Sequence, residues 1–180
     1  MQVTKTKLDG VLIIEPKVHK DDRGWYSEIY SERSLEKAGI SFRAVQDNHI
    51  KSKKGTLRAI HFQNSPKAQA KLVRCTKGKV NDFIVDLRKT SPTFKQWIMV
   101  ELTEDNKLQV LVPEGFGHGV LALEDDTEVT YKVNELYHPD LDRAICWNDP
   151  ALAIDWGVSA PILSEKDKNA PLLKDSDVNY

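Results

Sequence analysis

Lys71-Leu72-Val73-Arg74-Cys75-Thr76-Lys77-Gly78-Lys79-Val80-Asn81-Asp82-Phe83-Ile84-Val85-Asp86-Leu87 is the stretch from which the fold is read. Two strand-like runs, Lys71–Thr76 and Val80–Leu87, flank a turn-compatible Lys77-Gly78-Lys79. The pattern repeats downstream: Trp97–Leu102, Leu108–Val112, Gly119–Leu123 and Glu128–Val133 are predicted strands, with Thr90-Ser91-Pro92 and Glu104-Asp105-Asn106 among the turns between them. Strands this close together predict antiparallel pairing, because parallel neighbours need crossovers of about a dozen residues or more. The expected fold is therefore mostly β, a sandwich or jelly roll with short helices at the periphery. Upstream, Val11–Ile14 ahead of Pro16 reads as an edge strand. Ser31 to Ala38, closed by Gly39, reads as a short helix.

Alternation assigns faces. In Glu128-Val129-Thr130-Tyr131-Lys132-Val133 the odd positions are apolar or aromatic, so Tyr131 is predicted to point inward beside Val129 and Val133, with a hydroxyl that needs a partner. Asp82 and Asp86 share one face of their strand, which suits an outer or interface surface better than a barrel interior.

The chain has 180 residues, with 26 Lys+Arg against 27 Asp+Glu and a formal charge of −1. That length suits one domain over residues 1–180, and 40% hydrophobic residues suits a globular chain. Without a surplus or a run of basic residues no nucleic-acid partner is expected. No stretch approaches the roughly 18–20 apolar residues of a membrane helix. The N-terminus MQVTKTKLDG lacks a signal-peptide core, so a cytoplasmic location is expected. Cys75 and Cys146 are too few and too isolated for a disulfide framework or a thiolate zinc site, and each is expected to be a small buried hydrophobe.

Gly55-Thr56-Leu57-Arg58-Ala59-Ile60-His61-Phe62-Gln63 and Pro113-Glu114-Gly115-Phe116-Gly117-His118 resemble the two motifs of the cupin superfamily, a strand histidine and a Pro-x-Gly-x-x-His turn. Metal-binding cupins carry a second histidine and an acid where this chain has Gln63 and Lys67-Ala68. Only His61 and His118 remain, fewer than the three protein ligands usual in a catalytic metal site, so no metal is expected. On spacing alone either histidine is as readily a structural polar group.

A longer ordered set of motifs is more specific. Asp22-Arg23-Gly24-Trp25-Tyr26-Ser27-Glu28, Gln46-Asp47-Asn48-His49, Leu57 to Gln63, Gln69-Ala70-Lys71-Leu72-Val73, Val85-Asp86-Leu87-Arg88, Ser91-Pro92-Thr93-Phe94, Pro113 to Gly119, Trp147-Asn148-Asp149-Pro150 and Leu163-Ser164-Glu165-Lys166-Asp167 occur in this order. In this the chain resembles the dTDP-4-dehydrorhamnose 3,5-epimerases from about Glu15 to Leu173. The resemblance implies a cupin-type jelly-roll homodimer that works without cofactor. Its implied reaction inverts carbons 3 and 5 of a dTDP-4-keto-6-deoxyhexose. Both carbons flank a ketone, so a base, an enolate stabiliser and an acid on the opposite face suffice.

The resemblance makes His61 the base, Asp167 the carboxylate that orients it, Tyr131 the proton donor and Lys71 the enolate stabiliser. It places Arg23 and Arg58 at the diphosphate, Glu28, Gln46, Asp47 and Asn48 around the nucleotide, and His118 at the sugar or phosphate. Tyr137 falls where an aromatic ring stacks on thymine, and Asp142 and Lys166 match further binding positions. Read without it, Asp167 belongs to a helix capping pattern, Tyr131 is core filler and Lys71 a snorkelling surface residue. Arg58 and His61, three apart, would face opposite ways on a regular strand, so a bulge or a site shared between subunits is expected.

The chain departs from the usual pattern at Ala59 (for Gly), Ile60 (for Leu), Ile50 (for Ser), Val120 (for Phe) and Asp142 (for Glu). Ala59 is expected to add a methyl group near the base. None of the departures removes an acid or a base. Epimerisation at a single carbon, a metal-dependent cupin and a non-catalytic sugar-nucleotide binder are the competing readings.

Overall fold

Residues 1–180 are described by a computed structural model. In chain order the strands are β1 (Gln2–Lys5), β2 (Leu12–Glu15), β3 (Val18–Asp21), β4 (Gly24–Ser27), β5 (Gln46–Ser52), β6 (Leu57–Gln63), β7 (Lys71–Lys77), β8 (Lys79–Asp86), β9 (Trp97–Thr103), β10 (Gln109–Val112), β11 (Phe116–Ala122), β12 (Thr127–Val133) and β13 (Asp142–Ala144). The short helices are α1 (Glu32–Lys37) and α2 (Glu165–Lys168). The strands form a six-stranded sheet, β1-β2-β10-β7-β12-β5, a five-stranded sheet, β13-β6-β11-β8-β9, and a separate β3-β4 hairpin. Every pair of named strands is antiparallel. The chain is thus an antiparallel cupin-type jelly roll.

The turn at Gly78 does not close a hairpin. β7 lies in the first sheet and β8 in the second, so the turn carries the chain from one layer to the other. It needs glycine, since φ is +72° and a Cβ would lie 2.7 Å from Thr127 Oγ1.

Valines on alternate positions fill the space between the sheets. Val73, Val80, Ile84, Val100, Leu102, Val110 and Val129 form one cluster with Leu8 and Val11. The outer face of the second sheet is covered too: Leu57, Phe83 and Val85 pack against Ile145, Trp156 and Leu173 from the C-terminal segment. The Phe83 and Trp156 rings lie 4.4 Å apart. Helix α1 begins at Ser31, whose hydroxyl accepts from Ser34 N, and it stops before Gly39, φ +77°. It seals part of the first sheet with Leu35, Ile40 and Phe42 over Ile14 and Leu72.

Several expectations are corrected. β2 lies between β1 and β10 and is not an edge strand; Pro16 follows its last residue and so costs no ladder bond. β11 begins at Phe116, which places His118 in a strand rather than a turn. Asp82 and Asp86 are fully buried rather than outward. They share a face with the core residues Val80 and Ile84, while Phe83 and Val85 turn to the covered opposite face, so from Asp82 to Asp86 neither side of β8 meets water. Cys75 is buried, but Cys146 is only partly so.

Candidate active site

A cleft of about 120 Å³ opens between the two sheets, lined by Ile50, Arg58, His61, Lys71, His118, Val120, Val129 and Tyr131. Its two walls come from different sheets. β6 and β11 supply Arg58, His61, His118 and Val120, while β5, β7 and β12 supply Ile50, Lys71, Val129 and Tyr131. His61 and Tyr131 therefore face each other across the cleft.

A bulge resolves the Arg58–His61 spacing. Along the β6–β11 pairing His61 sits opposite His118 and Arg58 opposite Val120, so three steps on one strand match two on the other. The extra residue lets both side chains enter the same cleft. Ala59 does not: it is buried on the outer face, where a Cβ on Gly119 would come within 2.9 Å of its methyl and of Trp156. The expectation of a methyl beside the base is corrected accordingly. Ile50 and Val120 are the departures from the usual pattern that reach the cleft wall.

His61 Nε2 donates to Asp167 Oδ1 at 2.5 Å. Asp167 is buried in α2, and its own backbone N–H donates to Ser164 Oγ. The capping pattern is therefore real, and it fixes the backbone that aims the carboxylate at His61. Burial alone would raise the Asp167 carboxyl, but the His61 hydrogen bond and charge hold it below its ordinary value. An ionised Asp167 assigns the ring proton to Nε2, which leaves Nδ1 as the free acceptor of a neutral His61.

Tyr131 is flanked by Val129 and Val133 on the inward face, and its hydroxyl has no hydrogen-bond partner within the chain. Burial raises its phenol; Arg58 opposes this and Asp142 adds to it. Lys71 pairs with Val133 and lies one step diagonally from Tyr131 on the same face. Its Nζ donates to the His61 carbonyl at 3.4 Å. Burial pushes the ammonium down to about 8, against the pull of Asp142 and Asp82.

Sequence reasoning missed Asp82 as part of this site. Its Oδ2 accepts from His118 Nε2 at 2.9 Å, and its Oδ1 is buried without a partner. The signal available was that β8 is apolar on both faces, which marks a doubly covered strand.

Around the rim, Gln46 and Asn48 point inward from β5 and are joined by a 2.8 Å hydrogen bond. Asp47 points outward to Lys132 Nζ at 2.5 Å. Tyr137 is exposed and donates to Asp142 Oδ2 at 3.2 Å; the same carboxylate oxygen accepts from Lys166 Nζ at 2.5 Å. β13 brings Asp142 beside Gln63 and Ala144 beside His61, so this trio borders the His61 wall.

Arg23 and Glu28 are not brought to the cleft. Arg23 sits at the tip of the β3-β4 hairpin, its side chain 90% exposed and paired with Asp21, and exposed Glu28 accepts from Ser34 Oγ. No cluster of three or more His, Cys, Asp or Glu side chains is arranged to hold a metal.

A sequence model of the dTDP-4-dehydrorhamnose 3,5-epimerase family matches residues 5–175. The chain is 47% identical to the dTDP-4-dehydrorhamnose 3,5-epimerase of Shigella flexneri, over 98% of each. A crystal structure of that enzyme from Bacillus anthracis with TDP and pyrophosphate bound is 48% identical, covering 95% of this chain and 98% of its own, with a TM-score of 0.92. The Legionella pneumophila epimerase in complex with dTDP-4-keto-L-rhamnose is 42% identical, covering 98% of this chain and 94% of its own, with a TM-score of 0.93.

Proposed function

The chain belongs to the dTDP-4-dehydrorhamnose 3,5-epimerase family and is an isomerase of that type, and from that premise we propose how its own residues invert carbons 3 and 5 of dTDP-4-keto-6-deoxy-D-glucose to give dTDP-4-keto-L-rhamnose. The observation that carries the reading is the placement of His61 and Tyr131 on opposite walls of one cleft, with Lys71 buried beside them.

His61 Nδ1 removes the proton from a carbon next to the ketone. The C–H electron pair moves into the enolate, whose oxygen takes the charge, and the buried Lys71 ammonium stabilises it as a compact cation. Asp167 stabilises the imidazolium that results. The Tyr131 hydroxyl then delivers its proton to the same carbon from the other face, which inverts it. Because burial keeps the phenol protonated, that proton is in place at neutral pH. Imidazolium and phenolate are reset by exchange with solvent. The ketone acidifies both target positions, so the scheme calls for neither metal nor cofactor.

Arg58 and Lys166 supply positive charge for the diphosphate, with His118 and Asp142 at the sugar side, Gln46 and Asn48 along the nucleotide, and Tyr137 stacked on thymine; Asp47, turned outward to Lys132, takes no part within one subunit. Arg23 and Glu28 fit the same reading only if a second copy of the chain brings its hairpin to this cleft. The exposure of Trp25 and Tyr26 on that hairpin supports a homodimer. We place this enzyme, a single catalytic unit over residues 1–180 with no nucleic-acid partner, in the cytoplasm; no helix is long and apolar enough to cross a membrane.

Turnover of the 4-keto sugar nucleotide in D2O, followed by NMR, tests the reaction. Deuterium is expected at both carbons 3 and 5 and is lost in His61→Ala. Deuterium at one carbon only identifies a single-carbon epimerase, and none at either contradicts the proposal.

A further inference from the structure

Gln63, the last residue of β6, stands two positions after His61 and is only 2% exposed. Its amide is fully used. Nε2 donates to the carbonyls of Leu136, at 3.0 Å, and of Lys67, while Oε1 accepts from the backbone N–H of His138 at 2.8 Å. Two of these bonds bracket Tyr137, one to the residue before it and one to the residue after. The Tyr137 hydroxyl is tied down separately by Asp142. The exposed ring is thus carried by a loop whose backbone is fixed from below and whose tip is fixed from the side.

We infer that Gln63 is a positioning residue for base recognition: it holds the Leu136–His138 backbone so that the Tyr137 ring stands ready to stack on the thymine of the nucleotide. The inference deepens, and rests on, the reading of Tyr137 in the preceding subsection. Two donors and an acceptor from one planar group are required, and glutamine supplies them. Glutamate would accept from His138 but turn an acceptor toward two carbonyls; leucine would leave all three backbone groups unpaired. An aromatic ring held in its binding orientation avoids the ordering cost that a mobile loop pays on association. The position at which metal-binding cupins carry a histidine ligand here serves the nucleotide instead.

The test measures binding of dTDP and of inorganic pyrophosphate by calorimetry, with kcat and KM, in Gln63→Leu, Gln63→Glu, Tyr137→Ala and the Gln63→Leu/Tyr137→Ala double variant. Stacking of about 1–3 kcal/mol per base sets the scale. Tyr137→Ala and both Gln63 variants are expected to weaken dTDP about 10-fold, raise KM, and leave kcat and pyrophosphate affinity nearly unchanged. Adding Gln63→Leu to Tyr137→Ala is expected to change dTDP affinity by less than about 2-fold, since both act through one ring. If Tyr137→Ala weakens dTDP and the Gln63 variants do not, the role of Gln63 is overturned while base stacking stands. If Tyr137→Ala leaves dTDP binding intact, the stacking reading falls and takes this inference with it. A loss of kcat and pyrophosphate binding in step with dTDP would mark Gln63 as merely structural. Gln63→Glu keeps the shape and the His138 bond, so it reports even where Gln63→Leu does not fold.

Discussion

Two histidine–carboxylate pairs lie side by side on β6 and β11, and they are built for different ends. His61 is 30% exposed, and its carboxylate comes from α2, a short helix outside the jelly roll. His118 is 9% exposed, and its carboxylate, Asp82, is wholly enclosed on the neighbouring strand β8. The pairs share their chemistry and differ in access. His61 keeps a free ring nitrogen at an open cleft, whereas the bond between His118 and Asp82 satisfies one oxygen of a carboxylate that has no route to water. In the proposed mechanism His61 must reach its substrate, whereas His118 keeps an oxygen of a buried carboxyl group paired.

Deleting each histidine separates these roles. His61→Ala is expected to lower kcat by about 10²–10⁴-fold with a small change in melting temperature, because the space it vacates lets cleft water and Lys166 attend to Asp167. His118→Leu strands Asp82 and is expected to cost about 3–5 kcal/mol of stability, read from denaturant unfolding. Equal stability losses in the two variants would erase the distinction.

Lys71, which lies between the two pairs, sharpens it through pH. Its folded value of about 8 lies below the ordinary 10.5, so between these values the unfolded chain binds more protons and stability rises with pH. Below pH 8 the buried ammonium is retained at a cost in stability. Activity should run the other way, with kcat/KM falling as pH rises through about 8 and the enolate loses its cation. Lys71→Met is expected to abolish that descending limb along with most activity, and to add up to about 3 kcal/mol of stability at pH 7. A limb that persists in Lys71→Met would assign it to another group.

The layered β fold, the Ser31-capped helix and the inward Tyr131 were legible in the sequence, because each depends on local spacing and alternation. The bulge was legible as a conflict: Arg58 and His61 could not share a face without one. Asp82 and Asp86 were misread because alternation reports which residues share a face but not whether that face is covered. The partner of Asp82, His118, arrives from another strand by tertiary packing, whereas Arg88, Ser91 and Thr93, the partners of Asp86, follow it within seven residues in the turn that leaves β8. Ala59 was misassigned for a related reason, since the bulge turns its methyl away from the cleft. The bracket that Gln63 places around Tyr137 joins positions 73 residues and more apart, and no local pattern announces it.

The central claim is that base and acid stand on opposite walls. Tyr131→Phe in D2O tests it most directly, because it removes the acid and leaves His61, Asp167 and Lys71 in place. The prediction is solvent deuterium in recovered substrate with its configuration retained, since a deuteron on His61 can return only to the face it left, and little or no inverted product. Inversion at the wild-type rate in Tyr131→Phe, or loss of exchange together with inversion, would contradict the account.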